Sequence, residues 1–477
     1  MPRRDGRHVS VHPPPPAAAG ASVLPGSFVM RSGLRSFRLR HPAQAVPLAF
    51  AIAISLGTLL LALPISRAGP GSASFLDSLF TSTSAVCVTG LVVVDTPTYW
   101  SGFGEVVILV LIQVGGFGIM TLASLLGLLV ATRLGLRTRL SAQAETKSLG
   151  LGDVRRVLIG VAAFSLAFEA IAAIVLTLRF ATTYDESLGQ AVYHGVFHSV
   201  SAFNNAGFSL FSDNLVGFAT DPVVSLTIAA AVVGGGLGFP VLLELRRELF
   251  RPAEWSLHTR IVVWTTLVLL VVGSAAVIAF EWSNPATLGP LSDGDKLLAG
   301  VFQGVQPRTA GFNSLNYGEM NETTWLVTDI LMFIGGGPAG TAGGIKVTTF
   351  AILAFVILAE VRGDPVVHVH NRRIAPETQR QALSVALLAI LLIILSTIAL
   401  LTLSGETMDR VLFEAVSAFS TVGLSTGITA ELPGAGQFIL IALMFLGRVG
   451  TITFASALAL RSRPILYRLP EERPIVG

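Results

Sequence analysis

Apolar residues in this chain run rather than alternate. Eight stretches reach the ~20 apolar residues that cross a bilayer as one helix. They cover roughly residues 45–66, 106–132, 157–178, 222–243, 261–280, 325–359, 382–404 and 435–460. The sixth is too long for one plain helix and carries the run Gly335-Gly-Gly-Pro-Ala-Gly-Thr-Ala-Gly-Gly344. Such a run breaks a helix in the middle. Residues 1–44 are of another kind, with Arg3, Arg4, Arg7, Arg31, Arg35, Arg38, Arg40 and the prolines Pro13 to Pro16. They lack the apolar core of a signal peptide. They read as a basic, largely unstructured cytoplasmic tail, or as a helical docking segment near Arg31 to Arg40.

The charges fall between the stretches, in order. Arginines cluster after the second (Arg133, Arg137, Arg139, Arg155, Arg156), the fourth (Arg246, Arg247, Arg251, Arg260) and the sixth (Arg362, Arg372, Arg373, Arg380). The C-terminus adds Arg461, Arg463, Arg468 and Arg473. The intervening connections are acidic, interrupted by Arg67, Arg179, Lys296, Arg308 and Arg410. The positive-inside bias puts both termini and the arginine loops in the cytoplasm. An acidic outer face concentrates cations. The plainer alternative is solvated surface.

Each outer connection also holds a short apolar segment of the length expected for a re-entrant element. Each such segment ends in a glycine: Phe80 to Gly90, Phe197 to Gly207, Val301 to Gly311 and Phe413 to Gly423. Aligned on the glycine, three of the four share Phe ten before it, Ser six before it and Ala five before it. A large apolar residue follows each: Leu91, Phe208, Phe312, Leu424. A second glycine recurs in the next apolar stretch, at Gly115, Gly234, Gly335 and Gly447. The unit of about 110 residues is too long for a solenoid repeat. It fits one span, a re-entrant helix, a glycine turn and a second span.

The sequence therefore predicts an all-α polytopic membrane protein. Four pseudo-symmetric helix–re-entrant pore loop–helix repeats give eight spans around one central pore, with both termini cytoplasmic. The repeats cover 45–135, 153–250, 257–362 (with an intramembrane glycine loop at 335–344) and 380–462, flanked by tails 1–44 and 463–477. Non-helical backbone at membrane depth survives where it is buried or lines a water-filled cavity. Four equivalent turns around one axis would stack their carbonyls into rings that replace the hydration shell of a monovalent cation. Glycine suits them because it adopts φ > 0 and leaves no side chain in the passage.

Composition sharpens this reading. Charged residues are 13% of the 477 and the hydrophobic set is 52%, against ~25% charged in soluble proteins. That disfavours a soluble enzyme, a disordered chain or a nucleic-acid-binding domain. The one cysteine, Cys87, excludes an internal disulfide and a multi-cysteine metal site. The glycine run does not match a phosphate-binding loop, because its lysine follows as Gly344-Ile345-Lys346-Val347. No dinucleotide fingerprint lies in a soluble stretch.

The four turn segments resemble the filter segments of the KtrB/TrkH/HKT superfamily of potassium transporters, and most of all its bacterial KtrB branch. They read Thr-Ser-Ala-Val-Cys-Val-Thr-Gly90-Leu, Ser-Ala-Phe-Asn-Asn-Ala-Gly207-Phe, Arg-Thr-Ala-Gly311-Phe-Asn and Ser-Thr-Val-Gly423-Leu-Ser. The resemblance implies K⁺ uptake across the cell membrane by a multi-pass protein. It implies filter oxygens at Val88, Thr89 and Gly90; Asn205, Ala206 and Gly207; Thr309, Ala310 and Gly311; and Thr421, Val422 and Gly423. A serine in place of the first filter glycine goes with Na⁺ selectivity in that family, so four glycines favour K⁺. The third repeat departs in its pore helix, with Val301, Val305 and Gln306, which touches packing rather than selectivity. The resemblance further implies a homodimer and a ring-forming, KtrA/TrkA-like cytoplasmic subunit that carries ATP or ADP. It implies no cofactor in this chain, with K⁺ as transported ion and Na⁺ as a candidate activator. Lipid is the other partner, and no nucleic acid is expected.

Two features read as gates. Arg448 lies inside the last stretch, where a charge costs ~2.5–3.5 kcal/mol and turns inward. By spacing it takes the place of Gly116, Gly235 and Gly336. The family carries an arginine there that narrows the path; the alternative is an arginine paired at a helix interface. The run with Gly335, Gly336, Gly337, Gly340, Gly343, Gly344 and Lys346 reads as a flexible intramembrane gating loop, or as a plain helix break. Glu169 and Asp329 are assigned no ion coupling. His194 and His198 read as pore-helix packing or hydrogen-bonding residues. Competing functions are a Na⁺-selective or Na⁺-coupled relative, a structural subunit, and a membrane enzyme for which no nucleophile or metal constellation is visible.

Overall fold

Each of the four glycine turns follows a short helix, itself preceded by a longer apolar one. The computed structural model describes residues 42–139, 151–369 and 372–450. The expectations for the N-terminal tail, the end of the last stretch and the C-terminal tail fall outside them. The first repeat holds α1 (Pro42–Leu61), α2 (Phe75–Cys87), the short α3 (Thr96–Tyr99) and α4 (Gly102–Arg139). The second holds α5 (Leu151–Thr183), α6 (Leu188–Phe203), α7 (Pro222–Leu237) and α8 (Phe239–Glu248). The third holds α9 (Leu257–Glu281), α10 (Asp293–Val305), α11 (Glu322–Phe333) and α12 (Val347–Arg362). The fourth holds α13 (Pro376–Ser404), α14 (Met408–Ser420), α15 (Gly434–Phe445) and a π-helical turn, Leu446–Gly450.

Among the described residues, four helices are individually long and apolar enough to cross a membrane: Gly102–Leu125, Arg155–Thr183, Leu257–Glu281 and Pro376–Ser404. Their outer faces are apolar and exposed, as with Ile171, Ile174 and Leu178 on α5 or Leu391, Ile394, Leu395 and Ile398 on α13. A contiguous exposed apolar surface of this kind suits lipid rather than water.

The stretch 222–243, read from sequence as one segment, is broken. α7 and α8 meet at 104°. Gly238 sits between them at φ +92, and Pro240 lies in the first turn of α8. A glycine in that conformation followed by a residue with no N–H to donate stops one helix and starts another. The sixth stretch is also split, by residues 334–346. Ile334 and Ile345 bridge in parallel, and Gly335 N–H donates to the Ile345 carbonyl at 2.8 Å. The fold is not wholly helical: β1 (His368–Val369) and β2 (Arg372–Arg373) pair antiparallel between α12 and α13.

The helices ahead of the turns are longer than the apolar segments suggest. Three start on a serine cap. Ser74, Ser187 and Ser292 accept from the backbone N–H of Asp77, Gln190 and Asp295, three residues on. That satisfies one of the orphan donors at a helix start. Thr407 precedes α14 without a side-chain cap bond.

Candidate functional site

The four turns share one backbone conformation. The residue two before each glycine is left-handed: Val88 (φ 56), Asn205 (φ 59), Thr309 (φ 64) and Thr421 (φ 50). Each glycine is too: Gly90 (φ 91), Gly207 (φ 71), Gly311 (φ 75) and Gly423 (φ 93). A left-handed non-glycine residue costs on the order of 1–3 kcal/mol and persists only where its surroundings fix it.

Helix capping supplies that constraint. Val88 N–H donates to Ala85 O at 3.1 Å and Thr89 N–H to Ser84 O at 2.8 Å. Asn205 and Ala206 pair likewise with Ala202 and Ser201, and Thr421 and Val422 with Ala418 and Ser417. This is the Schellman arrangement, with the left-handed residue just past the helix end. The serine six before the glycine now has a reason. Ser84 and Ser417 accept the N–H of Gly90 and Gly423, each at 3.1 Å. Ser201 instead donates to Phe208 O at 2.8 Å. The third repeat has Val305 there, and its turn closes through Ala310 N–H to Gln306 O at 3.0 Å.

The turns face one another in a closed cycle. A Cβ on Gly90 would overlap the Ala206 carbonyl oxygen, with Gly207 Cα 3.2 Å away. One on Gly207 would lie 2.7 Å from Ala310 O and 2.9 Å from Gly311 Cα. One on Gly311 would overlap Val422 O, and one on Gly423 would overlap Thr89 O, with Gly90 Cα at 3.0 Å. Each glycine is therefore needed because the next turn's backbone occupies the side-chain position. The helices before the turns bring their partly negative C-terminal ends to this ring.

On one side, the residues after the glycines open into a cavity of about 590 Å³. Asp95, Asp213, Asn214 and Asn313 line it together with Gly90, Gly207 and Gly423. On the other side lies the glycine run. Apart from Pro338, residues 335–345 are buried. Gly337 N–H donates to Gly236 O at 2.8 Å and Thr341 N–H to Gly235 O at 3.1 Å. Lys346 Nζ donates to Ala342 O at 2.5 Å. The run is thus buried and hydrogen-bonded between repeats.

Arg448 is buried at 2% exposure and donates through Nη1 to the Thr341 carbonyl. It follows Gly447, whose missing side chain faces Phe419 O, as that of Gly115 faces Val86 O and that of Gly235 faces Phe203 O. The second-repeat mark is thus Gly235, one residue beyond Gly234, which packs on the Phe168 ring. The counterparts of Arg448 in the first two repeats become Gly116 and Gly236. In the third repeat Gly335 faces Gly343 O within the run itself.

Arg308 corrects the sequence picture. Counted there among the outer-loop charges, it is 4% exposed and donates through Nη2 to Leu331 O on α11. Its carbonyl accepts from Asn205 Nδ2 at 3.1 Å. It immediately precedes Thr309, which was the available signal. The other four interrupting cations are engaged as well, Lys296 among them in a buried position. Arg179 pairs with Asp221 at 2.8 Å, while Arg67, Lys296 and Arg410 lie over the rings of Tyr99, Trp282 and Trp325.

Glu169 accepts from Asn204 Nδ2 at 3.0 Å and Gln113 Nε2 at 3.3 Å, tying α5 to the end of α6 and to α4. Asp329 is buried on α11. His198 is buried, its Nδ1 at 2.8 Å from His194 O and its Nε2 at 3.0 Å from Ser209 Oγ. His194 pairs with Glu186 at 2.9 Å. Among the described residues, no group of His, Cys, Asp and Glu has the arrangement of a metal site.

Comparison with known proteins gives a consistent result. Residues 26–463 match the model of the family described as TrkH, cation transport protein. The chain is 42% identical to the Ktr system potassium uptake protein B of Bacillus subtilis, over 91% of this chain and 97% of that protein. It is 32% identical to the potassium/sodium uptake protein NtpJ of Enterococcus hirae, over 91% of this chain and 97% of NtpJ. The crystal structure of the potassium transporter TrkH from Vibrio parahaemolyticus superposes with a TM-score of 0.68. It covers 88% of this chain and 85% of that one, at 17% identity.

Proposed function

The chain belongs to the TrkH family of cation transport proteins, and from that premise we propose that it takes up K⁺ through a filter built on its four glycine turns. It is a transporter and not an enzyme. Eight spans, four of them broken or short in the described residues, surround one pore in the cell membrane, with both termini inside. The filter oxygens belong to residues 88–90, 205–207, 309–311 and 421–423. The observation that carries this reading is the cycle in which each turn's glycine makes room for the next turn's backbone. Four backbones that close can present carbonyls to one axis, and carbonyl rings substitute for the hydration shell of a monovalent cation.

The plug at 335–344 and Arg448 form the gate. The plug lies across the inner side of the ring, and a guanidinium there repels cations. A cytoplasmic nucleotide-binding subunit would move the plug, which accords with the "Ktr system" in the relative's name. The protein works as a homodimer with one pore in each copy. A Na⁺-coupled variant of this function is favoured by one observation, the similarity to a relative named for both potassium and sodium.

The test is ⁸⁶Rb⁺ uptake by vesicles containing the purified protein, with and without Na⁺. Saturable uptake that excess K⁺ competes and excess Na⁺ does not is the expected result. Uptake equal to protein-free vesicles would remove the proposal. A strict requirement for Na⁺ would select the coupled variant.

A further inference from the structure

We propose that the glycine plug is also the floor of the filter. Thr341 latches it there, so that gate position and ion discrimination are one coupled property. The inference rests on the reading of the four turns as filter and of 335–344 as gate, and goes beyond it by making the gate part of the selective site.

The four left-handed residues, Val88, Asn205, Thr309 and Thr421, form the ring nearest the plug. Three of them touch it. Asn205 Oδ1 accepts from Thr341 Oγ1 at 2.7 Å. Thr309 Oγ1 accepts from the Gly343 N–H at 3.2 Å. Gly343 lies so close to Thr421 that a Cβ there would overlap its hydroxyl oxygen. Val88 has no polar side chain to offer.

Asn205 carries the coupling furthest. Its Oδ1 is held by the plug and its Nδ2 donates to Arg308 O, in the residue just before the third turn. One side chain thus joins the second turn, the third turn and the plug. Thr341 is bound in return on every polar atom. Its N–H donates to Gly235 O, its carbonyl accepts from Arg448, and its hydroxyl reaches both Asn205 Oδ1 and Phe203 O. The plug cannot leave without releasing Asn205 and Thr309. Both then lose side-chain bonds that hold them in a conformation ordinary residues avoid. An opened gate therefore leaves an innermost ring that is less fixed, and a less fixed ring discriminates less well. Linkage makes the effect reciprocal: if opening weakens K⁺ at that ring, K⁺ at that ring opposes opening by the same factor.

Thr341→Val keeps the shape and removes the hydroxyl, and Thr341→Ser keeps the hydroxyl. Vesicles without the regulatory subunit are loaded with each, with wild type, and with a variant whose 335–344 loop is shortened. Rubidium uptake and its inhibition by Na⁺ are measured. Thr341→Val should raise uptake and reduce K⁺-over-Na⁺ preference by about fivefold, the low end of common coupling factors. Thr341→Ser should match wild type in both. Thr341→Val behaving as wild type, or raised uptake with unchanged preference, would overturn the inference. A shortened loop that fails to raise uptake would instead overturn the gate reading. As a measurement that does not depend on flux, the thiol introduced by Pro338→Cys in a Cys87→Ser background, at the half-buried position of the run and with Thr341 left in place, should be alkylated more slowly in KCl than in choline chloride. Equal rates would also overturn the coupling.

Discussion

At the scale of single residues, the chain concentrates unusual backbone conformations at its four glycine turns. The four glycines are visible in the sequence by their spacing. The left-handed Val88, Asn205, Thr309 and Thr421 are not, since only Asn among them is a residue type that favours that region. For Arg308 the place directly before Thr309 was the signal, and its depth depends on where α10 ends. Arg448 was legible because a lone arginine inside an apolar stretch has few places to go. Replacing Arg448 by Gln removes both a repelling charge and most of a hydrogen bond to Thr341. Rubidium uptake by vesicles should rise, and unchanged uptake with unchanged K⁺/Na⁺ preference would remove Arg448 from the gate. Glu414 predicts differently. It is buried and accepts from Ser425 Oγ at 2.5 Å, Thr426 N–H at 3.0 Å and Thr429 Oγ1 at 2.8 Å. It therefore ties the segment leaving the fourth turn to α14. Glu414→Ala leaves those donors unpaired at about 1–3 kcal/mol for a buried group. The expected result is a lower melting temperature in detergent, with Glu414→Gln intermediate.

At the scale of elements, continuous apolar runs located the stretches but only one of their breaks. The run at 335–344 announces a break by composition. Gly238 with Gly234, Gly235, Gly236 and Pro240 around it is a similar composition signal that the apolar count passed over; the 104° bend follows from the positive φ of Gly238 ahead of Pro240. The serine caps at Ser74, Ser187 and Ser292 were in the sequence, three residues before a polar first turn, and mark true helix starts that an apolar count overlooks. Removing residues within 335–344 should raise K⁺ uptake without the regulatory subunit; uptake that stays low would contradict a gate. A second prediction concerns the outer start of α7. Burial pushes the Asp221 carboxyl up, but hydrogen bonds from Arg179, Tyr184 and the N–H groups of Val224 and Val223 outweigh it and hold it below the usual carboxylate value. A depressed folded value means the stability it adds is complete above the unfolded value of about 3.9 and is lost as pH falls through the folded one. Asp221→Asn should therefore melt below wild type at pH 7. The gap should close in the acid range, and a gap independent of pH would contradict the assignment.

At the scale of the whole molecule, four units with limited sequence similarity meet backbone against backbone at their glycine turns. That is why the resemblance among them reduces to few positions: glycine where the next turn arrives, serine where the helix end is capped, and a glycine in the following helix. The third repeat dispenses with the serine and keeps the turn. Position-by-position contact was not legible, as the shift from Gly234 to Gly235 illustrates. The central claim is that this ring selects the ion. Any side chain at Gly90 must displace the Ala206 carbonyl of the neighbouring turn, so the most direct measurement is the K⁺/Na⁺ preference of uptake in vesicles holding wild type or Gly90→Ser. The account predicts a wild type that takes up Rb⁺ with little competition from Na⁺ and a Gly90→Ser variant, folded by size-exclusion chromatography, that has lost most of that preference. A folded Gly90→Ser protein with the preference of wild type would contradict it.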